Sequence, residues 1–400
     1  MFAAMRLLHT ADWHLGRLFH NVHLTDDQAV VLDQLVDLVR EVRPDVVLVA
    51  GDLYDRAVPP TEAVELLDDV LTRIVAGLGV PVMAIAGNHD SPARVGFAGA
   101  LLRERGLHVL GRPHADSTPV TLHDDRGPVH LFPLPFCEPA MARHVFGDAD
   151  IHDQQAVVAA AVGRALAAAP AGERRIALAH AFVAGGAQSE SERPISVGGA
   201  GSVAPATFEG FDYVALGHLH GPQQAGQPTV RYAGSLLKYS FSEAGHAKSV
   251  SLVEVGAAGS ADGDAGAAGR ARVAVETIAL APARDVRVLE GELADLLAAG
   301  RDDPCADDYV KAVLRDTSAL LDPLGRLREV YPNTLAIERP LLERPARPGV
   351  TPGELLRRSE AELFADFFQE VTGEAPTEPQ AAAFATTVDE LRGRQREAAS

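Results

Sequence analysis

Cysteine is almost absent from this sequence. The 400 residues include two cysteines, Cys137 and Cys305, which are too few and too far apart for a disulfide framework or a cysteine-based zinc site. A chain with so little cysteine suits a reducing compartment. We therefore expect a cytoplasmic protein.

Long apolar runs are also lacking. The N-terminus has no apolar signal core, and no run approaches the roughly 20 residues that a membrane-spanning helix needs. Residues 1–4 look like a dispensable extension, with Met5 as an alternative start. The lack of a signal core and the lack of a membrane-spanning run both agree with the expected cytoplasmic location.

Basic residues are in the minority. The chain has 36 Lys and Arg against 55 Asp and Glu, a formal charge of −19. Because binding to phosphates depends on Lys and Arg, this balance excludes attraction of nucleic acid over the whole surface. It does not exclude a nucleic-acid enzyme in which bound divalent cations reverse the field locally.

The length exceeds that of one typical domain, and a hydrophobic content of 47% supports a large core. Changes in composition suggest domains at residues 1–280, 281–343 and 344–400. Residues 256–272 are rich in Gly and Ala and read as a low-complexity loop or linker, and residues 344–353 as a linker with Pro and Gly.

Short apolar runs that end in acidic or imidazole residues recur along the first domain. Such runs are typical of buried strands, and in open α/β sheets ligands lie beyond the carboxyl ends of the strands. The first three are Met5–Thr10 with Asp12 and His14, Asp45–Ala50 with Asp52, and Val80–Ala86 with Asn88, His89 and Asp90.

Helices are predicted between these strands. One spans Thr25 to about Val42, where Thr25 and Gln28 have capping-box spacing, and another spans about Pro60 to Ala76. The resulting β-α-β-α-β order predicts a parallel sheet with helices on both faces.

The pattern continues less regularly in the second half of the domain. Predicted strands at 129–132, 175–179 and 213–216 accompany an Ala-rich helix at 156–168. The strand at 175–179 ends at His180, and the one at 213–216 is followed by His218 and His220. Residues 184–206, rich in Gly, Ala and Ser, are expected to form a mobile loop beside the site.

The groups at these strand ends form a candidate metal site. Any one of them, such as the tetrapeptide Gly87–Asp90, is by itself more typical of a turn. Five such strand ends favour a shared site, in which mixed Asp, Asn and His ligands suit two divalent ions that share one carboxylate. Imidazole with carboxylate favours manganese, iron or zinc over calcium or magnesium. The other ten histidines, such as His9, are expected to be structural or at the surface.

Beyond residue 280 the pattern changes. Runs at Val286–Leu289 and Tyr309–Leu314 predict strands of a small α+β module that ends near Glu343. A helix further on carries apolar residues at helical spacing. They are Leu356, Leu363, Phe364, Phe367, Phe368 and Val371. This face either docks a partner or packs on the protein's own core.

The motifs D-x-H, GD-x-x-D, GNHD, a lone strand-end His and GH-x-H resemble the calcineurin-like metallophosphoesterase signature. The stretches LHTADWHLGR, GDLYDRA, GNHDSPAR and AGSLLKYSFSEAGHAKSV are more specific. They resemble the SbcD family, the nuclease subunits of bacterial SbcCD complexes, and DDYVKAVLRDTSALLDPLGRLREVYPNTL extends the likeness over nearly the whole chain. One departure is Leu236, where a proline is expected after Gly-Ser.

This resemblance implies two divalent metal ions, with Mn²⁺ as the expected metal, on a four-layer α/β/β/α fold. One ion would be held by Asp12, His14, Asp52 and His220, and the other by Asp52, Asn88, His180 and His218. His89 would donate to the scissile phosphate or the leaving group, and Asp90 would orient His89.

The resemblance also implies an activity and partners. The activity is 3′→5′ exonuclease cleavage of duplex ends and endonuclease cleavage of single strands and hairpins, in DNA repair, recombination and replication. The chain would form a homodimer, within a nucleoid-associated heterotetramer with the SbcC ATPase subunit. The module at 281–343 would cap DNA, and the C-terminal helices would dock SbcC.

Two other functions use the same sequence features. A phosphoesterase acting on small nucleotides or phosphoproteins needs the same metal site, but needs neither the module nor the Phe-rich helix. A catalytically inactive scaffold on this fold would be marked by loss of metal ligands, and none is lost here.

Overall fold

Two six-stranded sheets form the core of the N-terminal unit, which extends to Arg339. The computed structural model describes residues 4–170, 172–195, 201–257, 270–340 and 359–398. The first sheet has the order β16-β15-β1-β4-β5-β6 and the second β13-β14-β12-β9-β8-β7. The strands are β1 (Met5–Thr10), β2 (Leu18–Phe19), β3 (Val22–His23), β4 (Val46–Val49), β5 (Val82–Ile85), β6 (Leu107–Leu110), β7 (Val120–Asp124), β8 (Gly127–Leu134), β9 (Arg174–His180), β10 (Phe182–Val183), β11 (Ser202–Val203), β12 (Tyr213–Gly217), β13 (Gln223–Ala225), β14 (Gln227–Tyr232), β15 (Ser249–Val255), β16 (Val273–Ala279), β17 (Val286–Gly291), β18 (Tyr309–Leu314) and β19 (Thr334–Glu338).

Helices cover the outer face of each sheet. The helices are α1 (Thr25–Val42), α2 (Thr61–Thr72), α3 (Pro92–Val95), α4 (Gly99–Leu102), α5 (Pro139–Phe146), α6 (Gln154–Ala168), α7 (Leu293–Gly300), α8 (Pro323–Arg328), α9 (Glu360–Thr372) and α10 (Glu378–Ala398). The first sheet packs on α1 and α2, and the second on α5 and α6. The order of layers is therefore α/β/β/α, and the four-layer expectation is confirmed.

Alternation along the strands explains why the two sheets face each other. Successive side chains of a strand point to opposite faces. In β1, Leu7 belongs to the core between the sheets, whereas its neighbour Leu8 packs under the helices. Leu178 and Ala177 in β9 divide in the same way between the inner core and the α5–α6 side. The expectation of helices on both faces of one sheet is thus wrong, because the inner faces are apolar and bury each other.

Parallel pairing places the predicted strand ends at one edge. In the first sheet β1, β4, β5 and β6 run parallel, and in the second sheet β8, β9, β12 and β14 do. The carboxyl ends of parallel strands lie along the same edge of a sheet. The polar residues that follow these strands therefore lie along one edge of each sheet.

Helix α1 has its predicted bounds, but the predicted capping box is wrong. Leu24 is the N-cap residue, and no side chain caps the helix there. Gln28 lies one residue too far into the helix for the box, and its amide instead donates to the carbonyls of Trp13 and His14 and accepts from the Gly16 amide. Gln28 thereby fixes the turn that follows β1.

The Gly- and Ala-rich stretch joins two paired strands. The strands on either side of the stretch, β15 and β16, form an antiparallel pair in the first sheet from Ser249↔Ala279 to Val255↔Val273. Residues 258–269 lie outside the described residues. Strand β16 is not among the predicted strands.

The predicted α+β module is a three-stranded parallel sheet, β17-β18-β19, with α7 and α8. It contacts the sandwich closely. The Tyr309 hydroxyl donates to Asp27 of α1 at 2.8 Å, and Lys238 pairs with Asp285 at 2.8 Å. The compact unit accordingly extends to Arg339.

The C-terminal unit contains α9 and α10. Ser359 and Glu362 form a capping box at the start of α9, and Phe364 stacks on Phe384 of α10 with ring centroids 4.1 Å apart. Phe367 is 63% exposed and Val371 56%. Leu356 and the predicted linker at 344–353 lie outside the described residues.

Across the described part of the chain, no helix is both long and apolar enough to cross a bilayer.

Candidate metal centre

All nine predicted site residues come together at the carboxyl edge of the two sheets. The first sheet contributes the residues that follow β1, β4 and β5, and the second those at the ends of β9 and β12. They are Asp12, His14, Asp52, Asn88, His89, Asp90, His180, His218 and His220. Asp12 accepts hydrogen bonds from the His218 amide at 2.9 and 3.0 Å, which ties one sheet to the other.

Asp52 lies at the centre of this group. Its Oδ1 accepts a hydrogen bond from the His89 amide at 2.9 Å. Its Oδ2 lies 3.6 Å from Nε2 of His14 and 3.5 Å from Nε2 of His180. One carboxylate oxygen is thus held by the backbone, and the other faces an imidazole from each sheet.

His180 presents a lone pair to the site. Its Nδ1 donates to the Ala50 carbonyl at 2.9 Å, so in the neutral ring Nε2 carries the lone pair. Nε2 faces Oδ1 of Asn88 at 2.8 Å, and Nδ1 of His218 lies 3.2 Å from the same oxygen. With the Asn88 amide in this orientation, its oxygen faces the lone pair on Nε2 of His180. A cation bound by both acceptors would stabilise this arrangement.

His220 is oriented in the same way. Its Nδ1 donates to Oγ of Ser191 at 2.6 Å, and the Ser191 hydroxyl donates to Glu243. The lone pair is therefore on Nε2, which lies 3.1 Å from Nε2 of His14. A hydrogen bond behind an imidazole that fixes its tautomer is typical of metal-binding histidines.

The electrostatics of the site favour cations. Burial and the mutual repulsion of Asp12 and Asp52 raise the pKa of Asp12 well above its usual range, and burial raises the pKa of Asp52 to about 6. Burial lowers the pKa of His180 to about 4. Buried carboxylates and neutral imidazoles with converging lone pairs fit divalent ions, whose charge would lower the raised pKa values of the carboxylates and keep the imidazoles neutral. Asp12, His14 and Asp52 together could hold one such ion.

A second acid–imidazole group is better explained without an ion. His14, Asp55 and His89 also bring their ligand-type atoms close together. However, Arg17 donates to Asp55 at 2.7 Å, and Nδ1 of His89 donates to the Asp55 carbonyl at 2.8 Å. Asp55 therefore already has a cation as its partner.

The backbone at the site is strained. Asp12, His14, Asp52 and His218 have φ values of 52°, 46°, 50° and 112°, in or near the left-handed region that non-glycine residues rarely adopt. Such conformations cluster at functional sites, where the surrounding structure enforces them. Gly87 leaves room for them, since a Cβ there would lie 2.1 Å from Oδ1 of Asp52.

His89 lies against His14 but is not oriented by Asp90. The two rings meet edge-on with centroids 4.6 Å apart, and the Asp55 carbonyl fixes the His89 ring. The Asp90 carboxylate instead accepts hydrogen bonds from the backbone amides of Gly87, Leu53 and Tyr54. The expectation that Asp90 orients His89 directly is wrong, because its oxygens are used to join the β4 and β5 turns.

Residues behind His220 were missed from the sequence. The Glu192 carboxylate accepts from the His220 amide at 2.8 Å, and the Lys248 ammonium donates to the His220 carbonyl at 2.8 Å and to Glu243. Although burial raises the pKa of Glu243, hydrogen bonding to His220 and the charge of Lys248 bring it below its usual range. Ser191 and Glu192 thus place the described residues 184–195 of the predicted loop beside the site.

His9 has a structural role. The residue is fully buried, and its ring contacts the Tyr213 hydroxyl at 2.9 Å and the Leu216 carbonyl at 3.1 Å. These contacts join the two sheets beneath the site, as expected for a histidine without a polar strand-end context.

Comparison with protein families matches two parts of the chain. Residues 5–222 match the family described as calcineurin-like phosphoesterase, more than half of the chain and all seven predicted metal ligands. Residues 282–372 match the family SbcD_C, described as type 5 capsule protein repressor C-terminal domain.

Solved structures that match this chain include two of low sequence identity. A hypothetical protein from Thermus thermophilus is 14% identical with a TM-score of 0.35, covering 69% of this chain and 100% of its own. A dimetal phosphatase from Danio rerio is 13% identical with a TM-score of 0.38, covering 70% of this chain and 100% of its own.

Proposed function

Because the chain belongs to the calcineurin-like phosphoesterase family, whose members are metal-dependent phosphoester hydrolases, we propose that it is a manganese-dependent DNA nuclease. It acts as the nuclease subunit of an SbcCD-type complex. The observation that carries the hydrolase part is the position of Asp52, whose free oxygen lies between imidazoles of the two sheets.

The proposed ligand sets share Asp52. Asp12, His14, Asp52 and His220 hold one ion, and Asp52, Asn88, His180 and His218 hold the other. Both sets mix carboxylate or amide oxygen with imidazole nitrogen, which suits Mn²⁺ better than a set made of oxygens alone. When bound, such a pair binds the phosphodiester, lowers the pKa of a water and stabilises the leaving oxygen.

The protein's own groups position the reactants. Asp90 holds the β4 and β5 turns at a fixed separation through three amides, and the Ser191–Glu243 pair fixes His220. His89 is held by the Asp55 carbonyl through Nδ1, so it donates from Nε2 to the scissile phosphate or the leaving oxygen as the imidazolium, which has a proton on both nitrogens. These contacts are present before substrate binds, so little reorganisation is needed during the reaction.

Two elements outside the metal site, the module at 281–343 and α9, support a DNA substrate and a protein partner. The match of residues 282–372 to the SbcD_C family covers the module and α9. A hydrolase of small nucleotides would need neither element. We assign residues 1–280 to the nuclease domain, 281–343 to a DNA-capping domain and 344–400 to a linker and helices that dock the SbcC ATPase subunit.

The proposed activity is 3′→5′ exonuclease cleavage of duplex ends and endonuclease cleavage of single strands and hairpins, in the repair and recombination of DNA. A homodimer within a heterotetramer with SbcC fits the exposed apolar residues near the site. Phe97 is 80% exposed and Leu101 78%, beside an apolar groove of about 400 Å³ lined by α2 and the α3–α4 segment. Exposed apolar surface of this kind often marks a protein interface.

A substrate comparison tests the proposal. Purified protein with Mn²⁺ is given a hairpin-ended duplex, single-stranded DNA and a chromogenic phosphodiester in parallel. We expect cleavage of single strands and hairpin ends by the isolated subunit. Hydrolysis of the chromogenic ester with no cleavage of any DNA would contradict the nuclease assignment and favour a small-substrate phosphoesterase.

The exposed face of α9 is expected to dock the partner. Burying one Phe side chain stabilises an interface by about 1.5–3 kcal/mol, so the variant Phe367→Asp with Val371→Asp should abolish co-purification with SbcC. Deletion of residues 344–400 should do the same, and both variants should retain manganese-dependent cleavage of single-stranded DNA. Gln369→Asp, an exposed change on the opposite side of α9, is the matched control.

One outcome would contradict the docking role of α9. Loss of bound manganese or of single-strand cleavage in the Phe367 and Val371 variant would place this face in the core of the enzyme.

A further inference from the structure

A short segment after the metal-binding turn has the opposite charge to the rest of the chain. Residues 91–114 contain four arginines against one glutamate, whereas the whole chain has a formal charge of −19. The segment includes α3, α4 and β6 and begins directly after Asp90. The local excess of positive charge therefore follows the metal-binding turn directly in the sequence.

Part of this charge lines a cleft, here called the basic cleft. Its volume is about 380 Å³, and its lining includes Pro92, Gly99, Arg103, Gly111, Arg112 and His114. Arg103, Arg112 and His114 are exposed. Together they present two guanidinium groups and an imidazole to one open concavity.

Ion pairs neutralise some cations of the protein. Arg17 pairs with Asp55, Arg73 with Asp33 and Arg174 with Asp124. Within the described residues, no ion pair involves Arg103, Arg112 or His114. The two guanidinium groups carry like charge and repel each other, and a bound polyanion would remove that cost.

One edge of the cleft, at Pro92, lies close to the metal centre. Pro92 is four residues from Asn88, so the chain can separate them by at most about 14 Å. One strand of a duplex carries a phosphate about every 3.4 Å along the axis. The distance therefore corresponds to a few nucleotides.

We propose that the basic cleft binds the sugar–phosphate backbone of the nucleic-acid substrate a few nucleotides from the scissile bond. This inference rests on the proposed nuclease function and names the chain's own phosphate-binding groups. Contacts from Arg to phosphate position the backbone without reading its sequence, which suits an enzyme that cuts DNA of any sequence. In an acidic protein, such a track also steers the substrate to one face.

The test measures DNA binding separately from hydrolysis. A fluorescent hairpin duplex is titrated with full-length protein in EDTA, so that no cleavage occurs, at about 0.05 to 0.3 M salt. Arg103→Gln and Arg112→Gln should each weaken binding about 5- to 10-fold at about 0.1 M salt and reduce the salt slope by about 0.9. Arg40→Gln is the matched control, since Arg40 is exposed and pairs with Asp37 on the surface of α1.

Hydrolysis of the chromogenic phosphodiester should be the same in wild type and all three variants. Unchanged affinity and salt slope in Arg103→Gln and Arg112→Gln, with normal DNA binding by wild type, would overturn the basic cleft alone. If the wild-type protein neither binds nor cuts DNA but still hydrolyses the chromogenic ester, both the proposed function and the cleft are wrong.

Discussion

Asp52→Asn is expected to abolish hydrolysis while leaving the fold intact. Oδ1 accepts the His89 amide and Oδ2 faces both His14 and His180. An asparagine has one oxygen, so its NH₂ group must face either the backbone amide or the metal positions. Each orientation loses an essential contact, and the negative charge shared by the two ions is lost in both.

The expected loss is about a thousandfold or more, because metal catalysis supplies several kcal/mol and each 1.36 kcal/mol is tenfold in rate. Manganese should raise the melting temperature of wild type and not that of Asp52→Asn. Asp45→Asn is the matched control, since the Asp45 carboxylate accepts a backbone hydrogen bond from Arg6, far from the site along β1. Near-normal manganese-dependent activity in Asp52→Asn would disprove the two-metal assignment.

His89→Ser is expected to lose most turnover but to keep its metals. Removing a positioned proton donor costs about 10²–10⁴ in rate. The ring is held through Nδ1 by the Asp55 carbonyl, which leaves Nε2 for the substrate. Metal analysis of the purified variant should still give two manganese ions per chain.

The leaving group distinguishes the two roles left open for His89. If His89 protonates the leaving oxygen, the loss should be large with DNA and small with a nitrophenyl ester, whose leaving group needs no proton. If it stabilises the phosphate, both substrates should lose rate equally. Loss of manganese in step with activity would instead make His89 a ligand, contrary to this account.

The sequence predicts the strand ends well because a local pattern encodes them. Each of Asp12, Asp52 and His180 follows an apolar run, and parallel pairing places such ends at one edge. The second sheet is harder to predict, since β7, β13 and β14 have short, mixed patterns. Helices cover only one face of each sheet because residues such as Leu7 and Leu178 are buried in the core between the sheets, which is a tertiary property.

The supporting residues of the site could not be predicted from spacing. Glu243 and Ser191 are 52 positions apart and meet only behind His220. The sequence signal for Glu243 is the stretch SFSEAGHAKSV, which resembles the family without indicating a role, and Ser191 lies outside that stretch. Asp90 shows the reverse problem, because its neighbour along the chain, His89, is not its hydrogen-bond partner.

The central claim is a pair of ions bridged by Asp52, and the most direct measurement is a manganese titration of the metal-free protein followed by electron paramagnetic resonance. The account predicts two ions per chain at saturation and the signal of a magnetically coupled pair. Asp52→Asn should lose that coupling. A single uncoupled ion per wild-type chain, with full hydrolytic activity, would contradict it.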